Sequence, residues 1–205
     1  KTPTLDTPAM RSAINFYLDL KFNKKYAPPE CDYNCMDSLF KEGKTAFIIN
    51  GDWAISVYQQ HFKKDFGLAI IPKLSSTGLW PAPMVSGKYF MVSSGVKPEK
   101  LDMIKRLMYF YTGRDNQIRQ FKDLQRLPAL AEASRAPEIT GTEVSRVSME
   151  QISKGRPMSM ATEMRAVWDS ARNYLGLATS RKLSAEDAAR KMQENAARKI
   201  SEMNR

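Results

Sequence analysis

The chain has 205 residues, about one and a half domains at roughly 150 residues each. At 42% hydrophobic and 26% charged residues it can bury a core and is not a disordered polymer. Its excess of +10 is spread as +2, +1, +4 and +3 over residues 1–30, 31–96, 97–137 and 138–205, with acids interleaved. That pattern suits solvated faces and argues against a nucleic-acid reader, which concentrates its charge.

No apolar run approaches the twenty residues that span a bilayer. The chain opens at Lys1-Thr2-Pro3 without an initiator Met or a signal-like apolar region, as expected of a processed or truncated product.

Thr7 as a cap, Pro8 in the first turn and a stripe of Met10, Ala13, Ile14, Tyr17 and Leu18 predict a helix over 7–22. Pro28-Pro29 breaks the chain. Cys31 and Cys35 have three residues between them, one too many for a redox or zinc pair, which leaves a local disulfide or two free thiols. A second helix starts near Asn34 and stops at Gly43. Residues 45–49 read as a strand buried on both faces, followed by the turn Asn50-Gly51-Asp52-Trp53 and a helix over 54–60. His61 reads as a surface residue at a helix end, with no metal site around it.

Residues 66–71 read as a second buried strand, stopped by Pro72. A loop over 73–83 carries Trp80, and 89–92 is a third strand. Helices follow from Pro98 to Gly113 and from Arg114 to Lys122. Thr140-Gly141-Thr142-Glu143 resembles a capping box for a helix ending at Lys154. The last helices cover 160–177 and 185–203. The final one is capped at Ser184 and laced by Glu186/Arg190, Asp187/Lys191 and Glu194/Arg198, with Ala189, Met192, Ala196, Ile200 and Met203 inward. The alternation predicts an α/β fold, but three strands among seven or eight helices under-supply a sheet.

No Gly-x-Ser-x-Gly elbow, phosphate-cradling loop or His-Glu-x-x-His pair occurs, so the sequence carries no enzyme signature. What stands out is a colinear series of motifs. Phe40-Lys41-Glu42-Gly43-Lys44-Thr45-Ala46-Phe47 running on to Gly51-Asp52-Trp53 comes first. Phe66-Gly67-Leu68 to Pro72, Ser86-Gly87-Lys88-Tyr89 to Ser93, Lys97 to Gly113, and Arg126-Leu127-Pro128-Ala129 follow, and Met158 to Arg172 with Trp168 closes the series. This order resembles the bacterial extracellular solute-binding proteins of family 1, the maltose/maltodextrin-type sugar receptors of ABC importers. The resemblance covers nearly the whole chain and corresponds to a C-terminal half.

The resemblance implies a periplasmic-binding-protein-like type II two-lobe fold, here incomplete, with the missing strands upstream. Residues 1–78 would belong to the C-terminal lobe, 79–140 to the N-terminal lobe with its hinge crossovers, and 141–205 to the C-terminal lobe again. It implies a sugar or oligosaccharide ligand and membrane permease subunits as partners, with no cofactor, metal or catalysis. The setting would be periplasmic or extracellular, compatible with an upstream lipid anchor, and the full-length protein a monomer.

A sugar offers a flat C–H face and a rim of hydroxyls, which aromatic rings and paired polar groups recognise. Trp53 and Trp168 are the expected platforms. Asn50 and Asp52 flank the first; Asp52 reads first as a helix cap and second as an acceptor of sugar hydroxyl protons. Arg165 and Arg172 flank the second, one helical turn to either side. Trp80 is a third platform or a loop anchor, and Ser86, Gly87, Lys88 and Tyr89 would enter from the other lobe. Asp169 and Arg165 replace an aromatic and a small residue of the maltodextrin receptors, predicting a more polar pocket. The competing reading is a basic helical module that binds an acidic partner. A glycoside-processing enzyme ranks third.

Overall fold

The computed structural model describes residues 2–28 and 30–203; Pro29, half of the expected Pro28-Pro29 break, lies outside the described residues. The chain divides into two compact units, one of Lys1–Cys35 with Ser159–Arg205 and one of Met36–Met158.

The first unit is a helical cluster. Helix α1 (Pro8–Leu18) is capped by Thr7, whose hydroxyl accepts the Met10 N–H, and continues as a π-helical turn over Asp19–Asn23. It packs on α9 (Met164–Thr179) and α10 (Ala185–Met203). Ala178, Ala185, Ala188 and Ala189 put almost no side chain between the helices, so Met192 and Ile14 can close the core. Ser170, fully buried, bonds the Ala166 carbonyl at 2.8 Å and the Asn195 side-chain amide at 2.9 Å. Gln193 ties the N-terminal segment to α10 through Leu5 N–H (2.7 Å) and the Pro3 carbonyl (2.8 Å).

The cap of α10 is as expected: Ser184 Oγ accepts the Asp187 N–H at 3.0 Å. The ion pairs differ from the expected set. Arg190 reaches Asp187 (2.6 Å) and Glu194 (3.3 Å), and Arg198 reaches Glu202 (2.9 Å). Asp187 is already held by Ser184, so an arginine three residues on meets a preorganised carboxylate. Exposed pairs of this kind contribute little to stability.

Helix α2 (Tyr33–Lys41) starts at the end of the first unit's N-terminal segment and runs on into the second; it follows Asp32, whose carboxylate accepts the Cys35 N–H at 2.9 Å. Cys31 and Cys35 form a disulfide around that first turn, resolving the two alternatives left by spacing. The helix ends in a Schellman motif: Lys44 N–H bonds the Leu39 carbonyl and Gly43 N–H the Phe40 carbonyl, with Gly43 at φ +68°. A 3-10 turn (Asp52–Ala54) leads into α3 (Ile55–Phe62). Then come the two-residue strand β1 (Met84–Val85), α4 (Leu101–Thr112), α5 (Arg114–Leu124), the short α6 (Ala131–Ser134) and α7 (Pro137–Thr140), α8 (Glu143–Lys154) and β2 (Arg156–Pro157). Ile118 and Phe121 of α5 pack against Ala133, Ala136 and Ile139 as the core of this part.

Two expectations are corrected here. The cap of α8 is Thr142, whose hydroxyl accepts the Ser145 N–H, and not Thr140. Pro137 starts a turn of its own and draws Thr140 into it. Nor do 45–49, 66–71 and 89–92 form strands: among the described residues the single ladder is parallel β1–β2. An extended segment becomes a strand only when a neighbour accepts its hydrogen bonds. Residues 66–71 are instead held by α8, where Gln151 accepts the Ile71 N–H at 2.8 Å. Phe47, expected to be buried, is 89% exposed, and so is Met91.

Lys63 ends α3 at φ 54°, ψ −117°, a conformation that costs a residue with a Cβ about 1–3 kcal/mol. Lys63→Gly is expected to raise stability by about 1 kcal/mol, after allowing for the greater freedom of glycine in the unfolded chain. An upward shift of the urea midpoint checks this; an unchanged or lower midpoint refutes it.

Candidate functional site

The turn before α3 is built from Asn50 outward. The Gly51 N–H donates to Asn50 Oδ1 at 2.8 Å, and Asn50 Nδ2 donates to the Tyr58 phenol oxygen at 2.8 Å. Tyr58, 4% exposed, donates its own proton to Asp37 Oδ1 at 2.8 Å. Lys41 Nζ sits 2.7 Å from Asp37 Oδ2, and His61 Nε2 lies 2.8 Å from the Lys41 carbonyl. The hydrogen bond from Lys41, then that from Tyr58, holds the Asp37 carboxyl below the usual aspartate range. It therefore stays an acceptor throughout neutral pH.

On this base stands Trp53, 62% exposed. Its indole folds back over Gly51: a Cβ built there would lie 2.1–2.4 Å from three ring carbons. Gly51 has an ordinary φ of −82°, so the close approach of the ring, and not the backbone, requires glycine. Gly51 also holds the cap position of the turn, which corrects the capping role considered for Asp52; the Asp52 carboxylate is exposed beside Trp53. Asn50, Asp52 and Trp53 are thus brought together.

Ser86, Gly87, Lys88 and Tyr89 follow β1 in exposed chain outside helix and strand, with the Tyr89 hydroxyl close over Gly87. Trp80 is half-buried, and its ring carries two ammonium groups, Lys154 at 4.7 Å and Lys73 at 5.3 Å from the centroid. In the first unit, Arg165, Trp168 and Arg172 share one exposed face of α9, with Trp168 48% exposed. Asp169 turns to α10, 3.2 Å from Lys199, and so is partly neutralised.

Sequence reasoning missed Asp37, Tyr58 and the reason for Gly51. The Asp37/Lys41 spacing was visible as a helical pair, whereas nothing in sequence linked it to Tyr58 or Asn50. Among the described residues no three His, Cys, Asp or Glu gather as a metal site, and no helix is long and apolar enough to cross a membrane.

The profile of the family described as bacterial extracellular solute-binding protein matches residues 1–144. The maltooligosaccharide ABC transporter solute-binding lipoprotein of Streptococcus pneumoniae serotype 4 is 30% identical over 156 residues, 76% of this chain and 36% of that protein. The maltotriose-binding protein of Pyrococcus abyssi is 28% identical over 169 residues, 81% of this chain and 36% of that one. Among solved structures, the maltose/maltodextrin-binding domain MalE from Bdellovibrio bacteriovorus, bound to maltotriose, superposes with TM-score 0.90 at 33% identity. That match covers 98% of this chain and 52% of the other. MalX from Streptococcus pneumoniae, in complex with maltopentaose, gives 0.85 at 26% identity over 95% and 52%.

The chain thus spans about half the length of these structures and little more than a third of the curated relatives. Its fold is the expected α/β two-lobe, periplasmic-binding-protein-like type, of which it supplies a part. A profile match over residues 1–144, well over half of the chain, makes this chain a member of the bacterial extracellular solute-binding protein family.

Proposed function

We propose that the chain is part of the substrate-binding component of a carbohydrate ABC importer, holding an oligosaccharide and delivering it to membrane permease subunits outside the cytoplasm. The observation that carries this reading is Trp53, a large apolar ring kept in solvent on a turn that is braced from below. A ring left exposed on a fixed base suits the flat face of a sugar. The named ligands of the relatives, maltooligosaccharides and maltotriose, point to α-linked glucose oligomers.

In this reading Trp168 is the second platform, with Arg165 and Arg172 donating to sugar hydroxyls. Asn50 and Asp52 serve the rim of the first, and Ser86, Gly87, Lys88 and Tyr89 supply polar contacts from another wall. Trp80 is the subordinate platform, because a sugar reaches its ring only by displacing Lys73 or Lys154. We assign 1–78 and 141–205 to one lobe and 79–140 to the other. Binding closes the lobes about the hinge and breaks no bond.

Tryptophan fluorescence, titrated with maltose, maltotriose, maltopentaose and galacto-oligosaccharides, tests this on the longest form of the protein that carries these residues. A saturable shift with at least one oligosaccharide is expected. No response to any sugar, with salt-dependent capture of an acidic partner, would support the basic-module reading instead.

A further inference from the structure

We infer that Gly51, together with the hydrogen-bonded series Asp37–Tyr58–Asn50, positions the Trp53 ring. The inference rests on the reading of Trp53 as a ligand platform and adds the residues that set its orientation.

Two separate constraints meet at this ring. From below, the missing Cβ of Gly51 leaves the space that the indole occupies, with three ring carbons inside 2.5 Å of where that carbon would stand. No side chain other than glycine's is compatible with this rotamer. From the side, the turn that carries Gly51 is pinned by its own N–H to Asn50 Oδ1.

The direction of each bond in the series follows from the others. Asn50 presents oxygen to the Gly51 N–H, so its amide nitrogen faces Tyr58. The Tyr58 oxygen accepts that N–H and sends its proton to Asp37, which as a carboxylate can only accept. Lys41 occupies the other Asp37 oxygen. The result is a chain of matched donors and acceptors from α2, across the buried phenol of α3, to the residue before Gly51. An exposed ring otherwise samples several rotamers, and fixing it beforehand removes that entropy from ligand binding.

The test needs no sugar. In a chain carrying Trp80→Phe and Trp168→Phe, Trp53 is the sole indole, and its near-ultraviolet circular dichroism reports a fixed ring. Gly51→Ala is expected to reduce that band at least twofold and to change acrylamide quenching, while the far-ultraviolet spectrum and urea midpoint hold. Tyr58→Phe should reduce the band as well. Asp37→Asn, which keeps an acceptor for the phenol, should retain it, and Asp37→Leu should not. An unchanged Trp53 band in folded Gly51→Ala overturns the inference.

With Trp80 and Trp168 restored, Gly51→Ala should weaken oligosaccharide binding about tenfold. If the Trp53 band responds as expected but no sugar binds even the unsubstituted protein, the positioning stands and the proposed function falls.

Discussion

Phe121→Ala is expected to destabilise the unit containing α5 by about 3–5 kcal/mol, the range for deleting a buried phenyl ring. Phe121 is 1% exposed and packs with Ile118, Ala133, Ala136 and Ile139, while Leu127 covers one side. Two of those neighbours, Ala133 and Ile139, sit in the short helices α6 and α7, and Ala136 caps the second, so the backbone has little freedom to collapse into a cavity and the cost should fall toward the upper end. The neighbours Ala133 and Ala136 are too small to swing into the gap. Amide hydrogen exchange read helix by helix checks the result. Protection in α5, α6 and α7 should drop a hundredfold or more, while α9 and α10, in the other compact unit, keep theirs. A loss confined to less than tenfold would mean that this cluster is not the core of its unit.

Trp53→Ala and Trp168→Ala are each expected to weaken oligosaccharide binding by about 2 kcal/mol, roughly thirtyfold, as for an aromatic anchor in the centre of an interface. The cost to folding should be small, since both rings are about half or more exposed and neither belongs to a core cluster. That combination, large in binding and small in stability, separates a ligand platform from a core residue. Isothermal titration with maltotriose, paired with urea denaturation of each variant, measures both quantities. A core role would show the reverse, with a lowered urea midpoint and affinity retained by the folded fraction. Trp80→Ala serves as the contrast: losing the ring that Lys73 and Lys154 cover should loosen its loop more than it weakens sugar binding.

Helices were the readable part of this chain because their determinants are local. In α10 the cap at Ser184, the period of 3.6 and the inward Ala189, Met192, Ala196 and Ile200 agree with the structure. Met203, expected inward, is instead 47% exposed in the last turn, beyond the helices that cover the rest of the stripe. The stop of α2 at Gly43 was legible for the same reason. Even so, the ion pairs of α10 were misassigned, because several acids and bases lie within one turn of each other and side-chain fixation chooses among them. The extended segments failed differently. An apolar run such as 45–49 signals that the chain is made to be covered, but a ladder belongs to two segments and cannot be read from one.

The candidate site divides along the same line. Trp53, Trp168 and their polar neighbours were legible from residue type, order and resemblance. Gly51 was legible as part of a turn, but its torsion is ordinary, so no backbone rule could reveal that an indole lies against it. Asp37, Tyr58 and Asn50 are separated by up to 21 positions, and only the packing of α2 on α3 makes them one hydrogen-bonded series.

Residue order alone established the family, the helical framework, the absence of enzyme signatures and the tryptophans worth testing, because those depend on short-range pattern and on colinear motifs. The disulfide, the exposure of Trp53, the cover on Trp80 and the seat on Gly51 came from the fold, because each depends on distances across space that linear spacing does not specify.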